Sequence, residues 1–157
     1  MEPPTPSPPF RPHQIGEVAI RCTDMGAMVR FYRDVIGLCV LSGGEDAAIT
    51  FLKVSDGTDG HTNVVALFHH TAGRAELHAT NESPPATGAG SSLHHIALSL
   101  PFAEQAAAME WYGRLGLDFR VQHFDWIGWR GIFTRDPEGN TVELVARDPD
   151  WKPPDGP

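Results

Sequence analysis

The sequence predicts an α+β fold of two tandem βαβββ modules, a cupped, partly closed eight-stranded mixed sheet if each module curls into half of a cup. Three observations carry this. A strand-like segment, Ile15-Gly16-Glu17-Val18-Ala19-Ile20, leads into a helix-like run ending at Gly37. The same order returns as Leu93-His94-His95-Ile96-Ala97-Leu98 and a run ending at Gly116. Glu17 and His95 stand 78 residues apart and the closing pairs Gly37-Leu38 and Gly116-Leu117 stand 79 apart, so the two halves keep nearly one register. After each helix pattern come three short segments with strand character, bounded by turn residues.

In the first half, Val18, Ile20 and Cys22 alternate with Glu17, Ala19 and Arg21, the period of a strand with one buried face. Thr23 or Asp24 can cap the following helix, whose Met25, Met28, Val29, Tyr32 and Val35 or Ile36 recur at three and four before Gly37 stops it. Strands are expected at Cys39 to Leu41, Ala47 to Val54 and Asn63 to Phe68, separated by Gly43-Gly44 and the turn-rich stretch from Ser55 to Gly60. From Thr71 to Ser92 the chain turns to Ala, Gly, Ser, Thr and Pro without apolar period, as an exposed connector does. The second half repeats the plan. It has a strand at His94 to Leu100, a helix from Phe102 to about Leu115, and strands near Asp118 to His123, Trp129 to Thr134 and Asn140 to Ala146. Asp136-Pro137-Glu138-Gly139-Asn140 makes the last hairpin turn. The expected divisions are a disordered Pro-rich tail (1–13), a first module (14–72), a linker (73–92), a second module (93–148) and a C-terminal tail (149–157) anchored by Trp151.

Composition narrows the function classes. With 157 residues, 41% of them hydrophobic, one small domain or a pair of modules can build a core. A net charge of −8 and the absence of any Lys/Arg run argue against nucleic acid and anionic membranes as partners. Cys22 and Cys39, both within apolar segments, read as reduced core thiols of a cytoplasmic protein without a disulfide. Met1 to Pro12 holds six prolines and no apolar stretch, so it is read as neither a signal peptide nor a membrane span.

Alternation also sorts the polar residues. In Leu93 to Leu100 the large apolar Ile96, Leu98 and Leu100 share a face and leave His95, Ala97 and Ser99 on the other. By the same count Glu17 lies beside Ala19, and Glu143 lies beside Thr141 and Val145, opposite Val142, Leu144 and Ala146. If the modules form a cup, Glu17, His95 and Glu143 meet on its floor. An imidazole and two carboxylates can hold a divalent ion with positions left for water or substrate; without a cation, one of the two carboxylates would have to take up a proton. Singly, each residue also fits a structural role: a solvated edge, a hydrogen-bonded core histidine, half of an ion pair. Matched positions in a duplicated unit favour the site.

The segments Ile15 to Asp24, Phe31-Tyr32-Arg33-Asp34-Val35-Ile36-Gly37-Leu38, His94-His95-Ile96-Ala97-Leu98 and Asp136-Pro137-Glu138-Gly139-Asn140-Thr141-Val142-Glu143-Leu144 resemble the vicinal oxygen chelate superfamily, from about Ile15 to Asp148. That family includes glyoxalase I, extradiol dioxygenases, fosfomycin resistance enzymes, methylmalonyl-CoA epimerase and bleomycin resistance proteins. The resemblance implies paired βαβββ modules, frequent homodimers, and metal ligands on first and last strands of modules. His95 and Glu143 match those positions.

Where many members carry a first-strand histidine this chain has Glu17, which disfavours the two-His, one-carboxylate iron site of the dioxygenases. Phe133 stands where those enzymes resemble one another in a tyrosine, and His123 sits too far back for their histidine. Ala66 occupies the place where glyoxalase I and the epimerase carry a fourth ligand; His69 or His70, just beyond, is either a substitute base or simply a solvent-exposed strand end, while His61 and His78 lie in turn-rich sequence and His94 points to the face opposite His95. The cup wall is aromatic. His123, Trp126, Trp129, Arg130 and Phe133 are the substrate-binding candidates, Trp with Arg suiting a flat or anionic oxygenated ligand, and an end-cap or dimer contact is the competing role for the tryptophans.

Two functions follow. One is a metalloenzyme in which one divalent ion (Mn, Fe, Zn, Ni or Co), with no organic cofactor, chelates vicinal oxygens of a small substrate as a Lewis acid, and Glu143 or Glu17 acts as proton acceptor. The other is a metal-free small-molecule binder of the bleomycin resistance type. In either case a homodimer is expected, with modules paired within a chain or exchanged between chains.

Overall fold

A computed structural model describes residues 8–73 and 83–153. Most of the expected N-terminal tail, part of the linker and His78 lie outside the described residues. The first module comprises β1 (Glu17–Cys22), α1 (Met25–Arg30), β2 (Cys39–Ser42), β3 (Ile49–Thr58) and β4 (His61–His69). The second comprises β5 (Ile96–Ser99), α2 (Gln105–Arg114), β6 (Arg120–Phe124), β7 (Trp129–Arg135) and β8 (Thr141–Arg147). This is the expected α+β pair of βαβββ units. The eight strands form two four-stranded sheets, in the orders β1-β4-β3-β2 and β5-β8-β7-β6, and the sheets are not closed into a barrel. In each, first and last strands run parallel and the rest antiparallel.

The two helices close by different turns. Asp24 caps α1, its Oδ1 accepting from Ala27 N at 2.9 Å. The helix then widens into a π-helical turn, Phe31–Val35, closed by Ile36 N donating to Phe31 O and Leu38 N to Tyr32 O. In the second module Leu117 N reaches Tyr112 O directly, so the two buried tyrosines lie six and five residues before the closing leucine. The wide turn absorbs the one extra residue between tyrosine and leucine in the first module, although from Glu17 to Gly37 that module is one residue shorter than the second is from His95 to Gly116. Gly37 and Gly116, at φ 89° and 64°, then take the left-handed conformation that ends each helix.

The helix-covered faces share one interior. Ile20, Met28, Val29, Leu52, Val65 and Leu67 pack with Ile96 and Val142 of the second module, while Val35 and Ile36 pack against the Tyr112, Ile132 and Leu144 cluster. Burying each such aliphatic side chain contributes about 1.5–3 kcal/mol, so the modules are joined by apolar contact as well as by the linker.

Polar contacts fix their relative placement. The Asp136-to-Asn140 turn reaches the start of α1: Glu138 accepts from Thr23 N and Asp24 N. Buried Asp136 accepts from the Tyr32 hydroxyl at 3.0 Å, from Asn140 Nδ2 at 2.8 Å, and from the backbone N–H of Glu138 and Asn140. At the other end, Trp151 is anchored as expected, its Nε1 donating to Asp125 O and its ring lying beside Gly128 and Arg147.

The cysteines divide. Both are free; Cys22 is buried, whereas Cys39, expected in the core, is exposed because it opens the edge strand β2. Burial foremost, then the nearby Glu138, Asp136 and Asp24 carboxylates, pushes the Cys22 thiol up to about 12. At pH 8 a thiol reagent is expected to modify one cysteine, Cys39, in the folded protein and both in denaturant, as counted by mass spectrometry.

Candidate active site

The second sheet carries the larger polar constellation. Glu143, in the middle of β8, lies between Ala97 on β5 and Phe133 on β7. Its carboxylate leans toward Gly131. A Cβ on Gly131 would collide with Glu143 Oε1 and with the Phe133 ring, so glycine here is what lets a buried carboxylate rest over the sheet. His95, just before β5, brings Nε2 to 3.3 Å from Glu143 Oε2 and sets its ring edge-on to Phe133. Burial raises the Glu143 carboxyl above its ordinary range, with His95 opposing. Gly131→Ala is expected to fold, to lose about 1–3 kcal/mol from overpacking, and to displace Glu143, which thermal unfolding and a crystal structure of the variant would check.

His94 departs from expectation. It was expected on the face opposite His95, yet both rings line one cavity and their Nδ1 atoms are 2.7 Å apart, one donating and the other accepting. Regular alternation does not apply there because the ladder starts only at Ile96. With His95 Nδ1 so engaged, Nε2 faces the carboxylate, an orientation that metal-binding histidines usually owe to a partner on the second nitrogen.

The cavity has a volume of about 850 Å³, within the range of small-molecule sites. Trp126, Trp129 and Phe133 line it, together with Phe124 of the same aromatic hairpin and with Gln122 and Arg135, to which the sequence pattern had not drawn attention. His123 and Arg130 do not. On β7 the alternation that turns Trp129, Gly131, Phe133 and Arg135 to the cavity turns Arg130 to α2. There its Nε donates to Gln105 Oε1 at 2.6 Å and its guanidinium covers the Phe102 ring. Gln105, wholly buried, donates in turn to Arg130 O and Leu144 O. Arg130 therefore braces helix against sheet. The count that admits Phe133 would have found Arg135.

Glu17 is elsewhere within the chain. It lines a hollow of about 130 Å³ on the first sheet with Arg21, Phe68 and Ala72, sharing no residue with the larger cavity. Ala66 sits beside Ala19 in the same sheet. His69 faces a third hollow at the start of α1 and stacks on buried His70, and His61 packs over Gly16. Among the described residues no three His, Cys, Asp or Glu side chains gather as an ion-holding group. His95 and Glu143 nonetheless fit a divalent ion as two of its ligands: donor atoms each about 2.0–2.2 Å from one ion lie roughly 3 Å apart, close to the observed 3.3 Å.

The sequence matches the family described as Glyoxalase/Bleomycin resistance protein/Dioxygenase superfamily over residues 14–144. The chain belongs to this superfamily. Solved structures agree on the fold of this glyoxalase-superfamily protein. Lactoylglutathione lyase from Agrobacterium tumefaciens superposes with a TM-score of 0.61 at 20% identity, covering 87% of this chain and 95% of that one. A glyoxalase/bleomycin resistance protein/dioxygenase from Nocardioides gives 0.62 at 17%, covering 94% and 92%. Fosfomycin resistance protein FosX from Mesorhizobium loti gives 0.54 at 20%, covering 83% and 89%. At these identities the likeness extends to the fold alone. No curated protein matches the sequence significantly. No helix among the described residues is long and apolar enough to cross a membrane.

Proposed function

We propose that this superfamily member is a metal-dependent enzyme acting on a small molecule, with His95 and Glu143 as two ligands and Glu17 of a second copy of the chain as the third. The observation that carries the reading is the His95–Glu143 pair, 3.3 Å apart at a cavity wall, its carboxylate buried and facing an imidazole already oriented by His94. A cross-chain site reconciles this pair with the remote Glu17. The modules are duplicates, Glu17 and His95 hold equivalent places, and among the described residues β1 and β5 are both sheet edges without a partner on their outer side. A twofold dimer that sets β1 of one copy beside β5 of the other brings the half-sites together twice.

A divalent ion there would act as a Lewis acid on adjacent substrate oxygens. The chain's own residues position and protonate. Glu143, with its raised carboxyl, is suited to take a proton at Oε1, over Gly131, while Oε2 faces His95 Nε2. Phe124, Phe133 and the two tryptophans give the cavity an apolar wall beside that carboxylate.

A second reading, a metal-free small-molecule binder, is favoured by one observation: within a single chain the described residues bring only two of the three groups together. Metal analysis separates the two. Protein purified without chelator is expected to carry close to one divalent ion per chain, falling to near zero in His95→Ala and Glu143→Ala; equal, near-zero content in all three would leave the binder.

A further inference from the structure

We propose that the cavity beside His95 and Glu143 takes a flat, largely apolar molecule bearing one carboxylate or phosphate, and that Arg135 pairs with that anion. The inference rests on the same cavity as the proposed function and names its ligand class. The wall is aromatic along its length: Phe124 meets Phe133 edge-on at 6.4 Å between centroids, Phe133 meets His95 at 6.2 Å, and Trp126 and Trp129 are 73% and 43% exposed, large apolar faces left open toward the cavity. Gly131, between Trp129 and Phe133 on the same face of β7, opens a slot whose floor is the Glu143 carboxylate. Rings can slide over such a slot and stack on its rims.

Charge supplies the second half. Among the described residues Arg135 is the one lysine or arginine in the lining and makes no ion pair. The acids nearest in sequence are committed elsewhere: Asp136 accepts four hydrogen bonds, three inside its turn and one from Tyr32, and Glu138 accepts from Thr23 and Asp24. A guanidinium offers paired donors that match a carboxylate or phosphate. The chain as a whole carries −8, which repels anions at long range, so an anion held here owes its affinity to this local contact. Arg135 stands two positions beyond Phe133, about 7 Å along the strand. That spacing suits rings over Phe133 with a charged group at one end.

Calorimetric titration of chelator-treated protein with 2-naphthoate, 2-naphthyl phosphate and the neutral 2-naphthol tests this. At least one anion is expected to bind about tenfold or more tightly than 2-naphthol, as a charge-assisted contact provides, and the tighter of the two identifies the anionic group. Arg135→Gln, an exposed position, is expected to abolish that preference while leaving 2-naphthol binding unchanged, and Trp129→Leu to weaken all three alike. Equal affinity for acid and alcohol, a preference that survives Arg135→Gln, or no binding of any naphthyl compound overturns the proposal. Because the titrations are run without metal, their failure is separable from failure of the metal site, which is read by metal content.

Discussion

Asp136→Ala lowers stability by about 3–5 kcal/mol, the scale on which removing one member of a buried charged network acts, and for a chain of this size lowers the unfolding midpoint by about 10 °C or more. Asp136 is buried and holds four donors at once, three within its own turn and one, the Tyr32 hydroxyl, from the other module. Removing the carboxylate strands all four. Burial first, and Asp136 next, push the Tyr32 phenol well above its ordinary range, so it stays a hydroxyl donor at any pH the fold tolerates. The companion variant Tyr32→Phe removes a single donor and is expected to cost about 1.5–3 kcal/mol. Thermal unfolding of both variants checks the order: if Asp136→Ala were no worse than Tyr32→Phe, the turn would not depend on the carboxylate for its shape.

What the sequence discloses and what it hides divide along one line. Local period and turn chemistry are readable: the β1 alternation, the Asp24 cap, the glycine stops and the Asp136-to-Asn140 turn all lie where pattern places them. The same arithmetic aims Glu143 and Trp129 at one face and, carried two residues further along β7, would have chosen Arg135 over Arg130. His94 escapes because alternation holds only within a ladder and β5 begins at Ile96. The Tyr32–Asp136 bond spans 104 residues, and no local pattern encodes it. Glu17 shows the deeper reason. Its face of β1 is legible, but where one sheet sits against another depends on packing between modules, and between chains, that no strand period records.

The second large effect is loss and recovery of metal. Singly, Glu17→Ala and His95→Ala are each expected to remove most bound ion, since in the proposed dimer each would take one of three ligands from both sites. Neither substitution touches the shared core, because Glu17 and His95 lie on the faces away from the helices. Together they are informative. In a mixed dimer, the Glu17→Ala chain still offers His95 and Glu143, and the His95→Ala chain still offers Glu17, so one of the two sites is complete. Metal content of the co-expressed variants is therefore the decisive measurement. With random pairing, about a quarter of the sites of the unmodified dimer should refill, although each variant alone is nearly empty. Co-expressed protein as empty as the separate variants, beside an unmodified protein that is loaded, would contradict a site shared between two copies of the chain.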